Sequence, residues 1–319
     1  MRALVTGGAG FIGSHLADSL LERGDQVVLL DDLSTGRLAN IQHLEGRSDA
    51  KFVLGSILDI DLVDDAIAEV DAVFHLAAAV GVNTIIEKPL ESLITNIRGT
   101  ETVIEKAHQH NKRILVMSTS EIYGKNTSDS LSEDDDRILG SPLKSRWSYS
   151  EAKAIDEILA YTYWREKGLE AVIVRLFNTV GPRQTGSYGM VLPTFVGQAL
   201  RDQPITIFGD GTQSRCFCHV SDVVTATIAL AEHPLAFGKV FNLGGAEEIS
   251  IQELAERIIR ITGSRSELTF TAYDTAYEEG FEDMARRVPN TDRAKGLVGF
   301  ESLVDLDDII QSVVEEHRG

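Results

Sequence analysis

The chain has very little cysteine. Cys216 and Cys218 are its only two, and they stand two residues apart. In a strand both side chains point to one face, but they cannot form a bridge without distortion. With no other cysteine, a disulfide framework and a thiolate metal site are excluded, and we expect no metal ion. This sparing use of cysteine fits a reducing cytoplasm.

Basic residues and long apolar runs are also scarce. Lys and Arg number 30 against 49 Asp and Glu, which gives a net charge of −19. This balance argues against nucleic acid as a partner, although a local arginine cluster can still bind an anionic substrate. No apolar run is long enough to span a membrane, and with a strand predicted from the first residues we expect no signal peptide.

What the chain does contain is a regular alternation of strand and helix patterns. Its 319 residues, 43% of them hydrophobic, suffice for a large core or two modest domains. Strands are predicted at 1–6, 26–30, 51–54, 72–76, 113–117 and 171–176, with helices at 62–68, 89–110 and 148–167. Such alternation predicts an α/β fold with a doubly wound parallel sheet of Rossmann type.

The alternation breaks after residue 178. A glycine-rich loop comes next, and then helices at 193–201, 220–232 and 251–262, strands at 205–208 and 239–243, and a short helix near the C-terminus. We expect a nucleotide-binding domain made of 1–178 plus about 216–246. The remainder, about 179–215 plus 247–319, forms a smaller discontinuous α/β substrate lobe, with the ligand in the cleft between the two. The acidic runs 133–136 and 305–308 are expected to be solvated surface.

A glycine-rich loop follows the first predicted strand. Residues 7–13 read Gly-Gly-Ala-Gly-Phe-Ile-Gly, and a helical pattern and a second strand ending in Asp31 follow. This is the context in which such a loop binds a dinucleotide. Gly7 allows the tight turn, Gly10 lets backbone approach the pyrophosphate, and Gly13 lets the helix pack closely on the strand. Asp31 can accept hydrogen bonds from both adenosine ribose hydroxyls and would repel a 2′-phosphate, which favours NAD over NADP.

A tyrosine and a lysine stand four residues apart at the start of a predicted helix. Tyr149 and Lys153 therefore share one helix face. The strand at 113–117 runs into Ser-Thr-Ser-Glu, which puts Thr119 and Glu121 at the carboxyl end of the sheet. A free phenol has a pKa of about 10, and a nearby ammonium and a cationic nicotinamide both favour the phenolate. Tyr149 is therefore a candidate general base.

Several segments together resemble the extended short-chain dehydrogenases/reductases, over nearly the whole chain. They are Thr-Gly-Gly-Ala-Gly-Phe-Ile-Gly at 6–13, His75-Leu76-Ala77-Ala78, Asn96 and the pair Tyr149…Lys153. The resemblance implies a Rossmann lobe, bound NAD and a nucleotide-sugar substrate, best read as a UDP-sugar. It implies that Tyr149 is the base on a sugar hydroxyl, that Lys153 holds the nicotinamide ribose, and that Thr119, with Ser120 and Glu121 beside it, bonds the reacting oxygen. The implied cofactor-binding residues are Gly7, Gly10, Phe11, Ile12, Gly13, Asp31, Asp32, Ser34, Thr35, Gly36, Ser56, Ile57, Leu76, Ala77, Ala78, Asn96, Tyr149 and Lys153.

The second lobe carries the same resemblance. Phe177-Asn178 followed by Gly181-Pro182-Arg183 resembles the segment whose Asn contacts the substrate diphosphate, and 205–208 resembles the strand that holds a nucleotide base. Arg286 or Arg287 is expected as a further diphosphate ligand, because the planar guanidinium binds phosphate bidentately. The implied substrate-binding residues are Val80, Gly81, Asn178, Arg183, Val191, Ile207, Phe208, Arg215 and Arg286. One cofactor position departs from the pattern: Ser56 stands where many relatives have an Asp on the adenine amino group, and it is a weaker acceptor.

The resemblance leaves the reaction open between several that all begin by oxidising C4 of the sugar. Glu121 after Thr119-Ser120 resembles UDP-glucuronate decarboxylases, and so do Arg146-Trp147-Ser148-Tyr149, Arg215-Cys216-Phe217 and the segment 276–289. Residues 79–82, Ala-Val-Gly-Val, resemble UDP-sugar 4-epimerases instead. We expect a UDP-glucuronate decarboxylase, with a UDP-glucose or UDP-glucuronate 4-epimerase as the alternative. A 4,6-dehydratase or a non-catalytic NAD-binding regulator is a weaker possibility.

The two long helices predict a homodimer. In the resembled family two such helices from each subunit form a four-helix interface. Here their apolar residues are Leu90, Leu93, Ile94, Ile97, Ile104, Ile155, Ile158 and Leu159. One stripe should face the sheet and leave a second stripe for a partner.

Overall fold

The structure, a computed structural model, describes residues 1–79, 89–144, 147–186, 190–272 and 284–318. Its strands are β1 (Arg2–Thr6), β2 (Gln26–Asp31), β3 (Ala50–Leu54), β4 (Ala72–His75), β5 (Arg113–Thr119), β6 (Ala171–Leu176), β7 (Asn178–Val180), β8 (Ile205–Phe208), β9 (Ser214–His219), β10 (Val240–Leu243), β11 (Glu248–Ser250), β12 (Leu268–Thr271) and β13 (Arg286–Arg287). Its α-helices are α1 (Phe11–Glu22), α2 (Ile60–Ala68), α3 (Pro89–Gln109), α4 (Ser148–Lys167), α5 (Val191–Ala199), α6 (Val220–Glu232), α7 (Ile251–Thr262), α8 (Asp292–Val298) and α9 (Leu306–Arg318).

Seven of the strands so described form one parallel sheet in the order β10-β6-β5-β4-β1-β2-β3. Its central strands β1, β4, β5 and β6 are buried along almost their whole length because helices cover both faces. Leu16 of α1 and Val223 of α6 pack in the core on one face, and Val63 of α2 and Ile104 of α3 in the core on the other. The predicted Rossmann-type α/β fold is confirmed.

The chain after β6 builds a second, smaller core. Strand β9 pairs with β11, β13 and β7, while β8 pairs with β12. The core between these strands and α5, α7 and α9 holds Leu192, Leu254 and Ile309 among others. The segment 292–300 departs from the predicted division, because Ala294 and Phe300 pack in the core of the nucleotide-binding lobe. The domain boundaries remain a proposal.

Three details differ from the sequence prediction. Helix α5 begins at Val191, two residues early, and β5 continues through Thr119. The C-terminal helix is longer than expected, at 13 residues. Glu133 was expected on a solvated surface, but it is 7% exposed and its Oε1 accepts a hydrogen bond from the Asn242 amide. A single hydrogen bond can therefore accompany the burial of one acidic residue in an otherwise polar run.

Cys216 and Cys218 lie in β9, a strand that the sequence analysis did not predict, and both are buried and free. Across the described ranges, no helix has the length and apolar character needed to cross a bilayer.

Candidate active site

In the loop between β1 and α1, the backbone segments approach each other closely at the glycines. Gly7 has a φ of +71°, and a Cβ on Gly13 would lie 2.2 Å from the Gly7 carbonyl oxygen. Gly13 thus makes its close approach to the loop backbone and not to the strand. Gly10 at the N-cap gives no side-chain hydrogen bond, so the N–H groups of the first turn face outward for an anion.

Asp31, at the end of β2, is the acid of this lobe. Its carboxylate accepts hydrogen bonds from the Ala9 amide (2.9 Å) and the Leu33 amide (2.8 Å). A Cβ on Gly36 would lie 2.6 Å from Asp31 Oδ1, so only glycine lets the following loop approach the carboxylate. Burial raises the pKa of Asp31, and the two amides oppose that shift.

The segment after β4 is held by side chains below it. Asn96 accepts a hydrogen bond from the Ala79 amide (2.7 Å) and donates one to the Ala79 carbonyl (3.2 Å), so its side chain holds this segment. Thr6 Oγ1 accepts from the amides of Leu76 and Ala77, both at 3.2 Å. Thr6 and Asn96 thus fix the two ends of residues 76–79, and a cofactor contact of Asn96 stays a prediction.

Ser56 and Ile57, which were predicted to bind the cofactor, both contact other residues of the chain. The Ser56 hydroxyl accepts from the Leu58 amide at 3.3 Å. Ile57 is buried against α3, where a Cβ on Gly99 would lie 2.3 Å from its Cδ1. Ile57 therefore seats the segment after β3 on the helix.

Tyr149 and Lys153 share one face of α4, as the spacing predicts. Lys153 is 2% exposed and donates from Nζ to the Met117 carbonyl at 3.0 Å. Its Nζ also lies 3.1 Å from Oδ2 of the fully buried Asp156. Burial raises the pKa of Tyr149, the negative charges of Glu121 and Asp156 raise it further, and Arg287 opposes them.

The end of β5 carries the other predicted catalytic residues. Ser120–Tyr123 form a 3₁₀ turn, and Thr119 Oγ1 accepts from the Glu121 amide at 3.2 Å. Ser150 of α4 donates to the Glu121 carbonyl at 3.0 Å. This bond ties the turn to the helix that bears Tyr149.

Arg287 joins this turn to the second lobe. Its Nη1 lies 2.5 Å from Glu121 Oε1, and its Nη2 donates to Asn178 Oδ1 at 2.9 Å. Arg286, the other arginine the sequence allowed, makes two bonds of 2.7 Å to Glu248 and turns away from Glu121. Neighbouring strand residues point to opposite faces, which separates the two. Arg287 is therefore the arginine at the site.

Four further residues were predicted to bind the substrate, two of them arginines and two of them in β8. Arg215 is 7% exposed and lies opposite Arg287 in the β9–β13 pairing. Arg183 forms an ion pair of 2.8 Å with Asp18 of α1, so it joins the lobes. Ile207 is fully buried, which leaves only its backbone for a ligand, whereas Phe208 is 37% exposed.

Val191 begins α5 and packs on the second core. Val80, Gly81 and Arg146 lie outside the described residues, as does the segment 273–283.

A buried polar network beneath the site escaped the sequence analysis. Arg175 of β6 pairs with Glu157 of α4 through two bonds of 2.9 and 2.7 Å and donates to the Tyr123 hydroxyl at 2.9 Å. Ser118 of β5 also donates to Glu157. The signal was present in the apolar strand Ala171–Leu176, because a buried arginine in such a strand requires a partner.

These groups fit a dinucleotide. The glycine loop leaves the α1 N-terminus open to phosphate, and the Asp31 carboxylate ends the adjacent strand β2. Lys153 and the Thr119 hydroxyl flank the carboxyl end of β5, where a nicotinamide and its ribose would lie.

Comparison with known proteins agrees with this geometry. The model of the NAD dependent epimerase/dehydratase family matches residues 3–244. The chain is 39% identical over 318 residues to a UDP-N-acetyl-alpha-D-glucosaminuronate decarboxylase of Bacillus cytotoxicus, covering 99% of this chain and 98% of that protein. It is 36% identical over 321 residues to UDP-glucuronic acid decarboxylase 1 of Arabidopsis thaliana, covering 100% of this chain and 70% of the plant protein. A UDP-glucuronic acid 4-epimerase of Bacillus cereus, crystallised with UDP-glucuronic acid and NAD, is 31% identical with a TM-score of 0.90, covering 100% of this chain and 99% of that one.

Proposed function

This chain belongs to the NAD dependent epimerase/dehydratase family, and from that premise we propose that it decarboxylates a UDP-linked hexuronate, UDP-glucuronate in the first instance. The observation that carries the proposal is the contact of Glu121 with Arg287 beside Tyr149. Every reaction in the family that begins at C4 needs a base like Tyr149. A substrate with a C6 carboxylate also needs a positive group in the site that balances its negative charge. The guanidinium of Arg287, next to Glu121, supplies that positive charge.

The first step uses the residues on α4 and β5. Tyr149 removes the proton from the C4 hydroxyl, and Thr119 donates a hydrogen bond to the same oxygen. The Nζ of Lys153 is fixed by the Met117 carbonyl and Asp156, on the helix face that Lys153 shares with Tyr149. NAD, when bound, supplies the hydride acceptor for C4 and a positive ring that favours the tyrosinate.

Decarboxylation then needs little further machinery. Once C4 is a ketone, the C6 carboxylate is β to it. The C5–C6 bond can then break: carbon dioxide leaves, and the bonding electrons stay on the sugar as an enolate delocalised into the C4 oxygen. Tyr149 and Thr119 stabilise that enolate by hydrogen bonding. Glu121, or a water it orients, delivers the proton to C5. The product is UDP-xylose when C4 is reduced again, and a 4-keto pentose otherwise.

Two alternatives have specific support. The Bacillus cytotoxicus relative is named for the 2-acetamido hexuronate, which differs only at C2 of the sugar. The Bacillus cereus structure, with its TM-score of 0.90, is a 4-epimerase that holds UDP-glucuronic acid itself. An epimerase would use Tyr149 in the same way and leave Glu121 as a neighbour of the sugar.

Substitution of Glu121 separates these reactions. We expect Glu121→Gln to reduce NAD when UDP-glucuronate is added but to release far less carbon dioxide, because the loss of a positioned acid or base costs about 10²–10⁴ in rate. Tyr149→Phe should block both steps. The matched control is Glu151→Gln, since Glu151 is an exposed glutamate of α4 paired with Arg137.

The wild-type products decide the outcome. Incubation with UDP-glucuronate, its 2-acetamido analogue and UDP-glucose, followed by mass spectrometry, identifies the preferred substrate. UDP-galacturonate formed with its carboxylate intact, or faster turnover of UDP-glucose to UDP-galactose, would replace the decarboxylase with a 4-epimerase. Preference for the acetamido sugar would keep the reaction and change the substrate.

A homodimer is part of the same proposal. Helices α3 and α4 pack side by side, and their outward stripe includes the exposed residues Leu90, Ile155, Ile158 and Tyr161. A second copy of this stripe is the partner that fits it.

A further inference from the structure

Asn242 of β10 is a buried residue that touches two separate segments. It has no solvent-exposed surface. Its Oδ1 accepts a 2.7 Å hydrogen bond from the Tyr123 hydroxyl. Its Nδ2 donates to the carbonyl oxygens of Leu131 (2.9 Å) and Asn290 (3.2 Å). The amide is thus fully used, half on each segment.

The first segment is the 3₁₀ turn that bears Glu121. Tyr123 ends this turn, and its ring is fully buried. The hydroxyl that donates to Asn242 also accepts from Arg175 at 2.9 Å. Because Glu121 and Tyr123 are two residues apart in one turn, the anchored phenol determines where the backbone of Glu121 lies.

The second segment is the stretch 288–290, which directly follows Arg287 and pairs with Leu131. The Leu131 amide donates to the Val288 carbonyl, and the Asn290 amide donates to the Leu131 carbonyl, both at 2.8 Å. The Leu131 carbonyl is therefore shared by Asn242 and Asn290. Arg287 directly precedes this paired stretch, so its backbone position is set by the same contacts.

We propose that Asn242 is a positioning residue that holds Glu121 and Arg287 at bonding distance, and so governs the step that follows oxidation at C4. The two charged residues are 166 positions apart in the chain, and Asn242 bonds directly to the turn that bears Glu121 and to the stretch that follows Arg287. Asn242 itself stays beneath the site and touches no substrate. This assignment rests on the proposed decarboxylase function.

Two substitutions release the two segments separately. Tyr123→Phe keeps the buried ring and removes the hydroxyl, and with it the bonds to Asn242 and Arg175 on the Glu121 side. Asn242→Asp keeps the acceptor for Tyr123 and places an oxygen against the carbonyls of Leu131 and Asn290, which releases the Arg287 side. Tyr163→Phe, on α4, is the matched control for a lost phenol.

The assay measures the two steps independently. Stopped-flow absorbance of NADH after mixing with UDP-glucuronate reports C4 oxidation, and mass spectrometry reports carbon dioxide loss. Displacement of reacting groups by about 1 Å can cost about 10²-fold, so we expect both variants to lose at least tenfold in decarboxylation while oxidation is unchanged. The keto hexuronate should then accumulate, and Tyr163→Phe should match wild type. If Asn242→Asp does not fold, the conservative Tyr123→Phe still gives the answer.

Three results bear on the proposal differently. Unchanged decarboxylation in Tyr123→Phe overturns it, as does an equal fall in both steps, which is what a loss of folded enzyme produces. If wild type decarboxylates no UDP-hexuronate, the proposed function fails, and a crystal structure of Tyr123→Phe decides the positioning role alone. Separation of Glu121 from Arg287 in that structure supports the role, and an unaltered pair overturns it.

Discussion

At the scale of single residues, we expect Asp31 to determine the preference for NAD over NADP. Its buried carboxylate accepts hydrogen bonds from two backbone amides, and the loop at Gly36 packs closely against it. A 2′-phosphate placed against it would bring like charges together with little water between them. We expect Asp31→Ala to weaken NAD binding at least about tenfold, the value of one hydrogen bond to a charged group, and to narrow the difference between the affinities for NAD and NADP in calorimetric titrations.

Asp32→Ala is the matched comparison. Asp32 is exposed, and its carboxylate accepts a hydrogen bond from the Ser34 amide at 2.9 Å. Its substitution should therefore change the two affinities less. Equal affinity of the wild-type protein for NAD and NADP would contradict the role given to Asp31.

His75 predicts how stability depends on pH. It is fully buried between Thr6 and Thr100, and burial, followed by the charge of Lys153, lowers its pKa to about 3. In the unfolded chain a histidine titrates near 6.5. Between about pH 3 and pH 6.5, His75 therefore binds a proton in the unfolded chain but not in the folded protein. The stability that His75 contributes is therefore complete above about pH 6.5 and is lost as the pH falls toward 3.

The measurement is urea unfolding at pH 7.5 and 5.5. One histidine held neutral accounts for a loss of about 1.4 kcal/mol at pH 5.5, so His75→Gln should reduce the fall in unfolding free energy by about that amount. The exposed His43 provides the control, as His43→Gln should alter the difference much less. A wild-type protein equally stable at both pH values would rule out this contribution.

At the scale of secondary-structure elements, Gly13 determines how α1 meets the glycine loop. A Cβ there would lie 2.2 Å from the Gly7 carbonyl oxygen, which is backbone and cannot turn aside. Gly13→Ala should therefore displace the first turn of α1, lower the melting temperature and weaken NAD binding at least tenfold, since the phosphate site is that turn.

Gly296 of α8 is the matched control. A Cβ there meets no atom within 4 Å, so Gly296→Ala should raise stability by about 0.4–1 kcal/mol through the unfolded chain. Thermal unfolding and NAD titration of both variants test the pair. A Gly13→Ala protein with unchanged NAD affinity would show that the loop adjusts.

The same scale shows what the sequence could predict. Helices Ser148–Lys167, Val220–Glu232 and Ile251–Thr262 have the predicted ends. Apolar periodicity marks all three, a glycine follows the first and the third, and Pro234 stands two residues after the second. Contacts between distant segments were not predictable. Alternation along β13 says that Arg286 and Arg287 face opposite ways, but only the fold tells which one meets Glu121.

The buried polar network around Arg175 was not predictable for the same reason, because its members are distant in the sequence. Arg175 could be recognised as a charge in an apolar strand, yet its partners Glu157 and Tyr123 come from segments 18 and 52 positions away. No local pattern joins them. Asn242 likewise gives no sign of its function until the sheet brings β10 beneath the 3₁₀ turn.

At the scale of the whole molecule, the two lobes meet through specific contacts and not through apolar packing alone. Arg183 pairs with Asp18 of α1, and His15 of the same helix lies 2.9 Å from the Pro182 carbonyl. The helix that presents its N-terminus to phosphate is therefore bonded to the loop that follows β7. Movement of one lobe relative to the other would be transmitted to that helix.

Association of two molecules is the last expectation at this scale. On the described faces of α3 and α4, one stripe is buried in the core, as Val103 and Ile104 are. The other leaves Leu90 70%, Ile158 61% and Tyr161 41% exposed. A twofold dimer buries each of these side chains twice, and a fully buried isoleucine contributes about 1.5–3 kcal/mol. Because Ile158→Asp would place two carboxylates in the interface, it should convert a homodimer to a monomer, as measured by light scattering at micromolar concentration. Leu303→Asp, at a leucine 78% exposed elsewhere on the surface, should leave the dimer intact, and a wild-type protein that is monomeric under these conditions would refute the assembly.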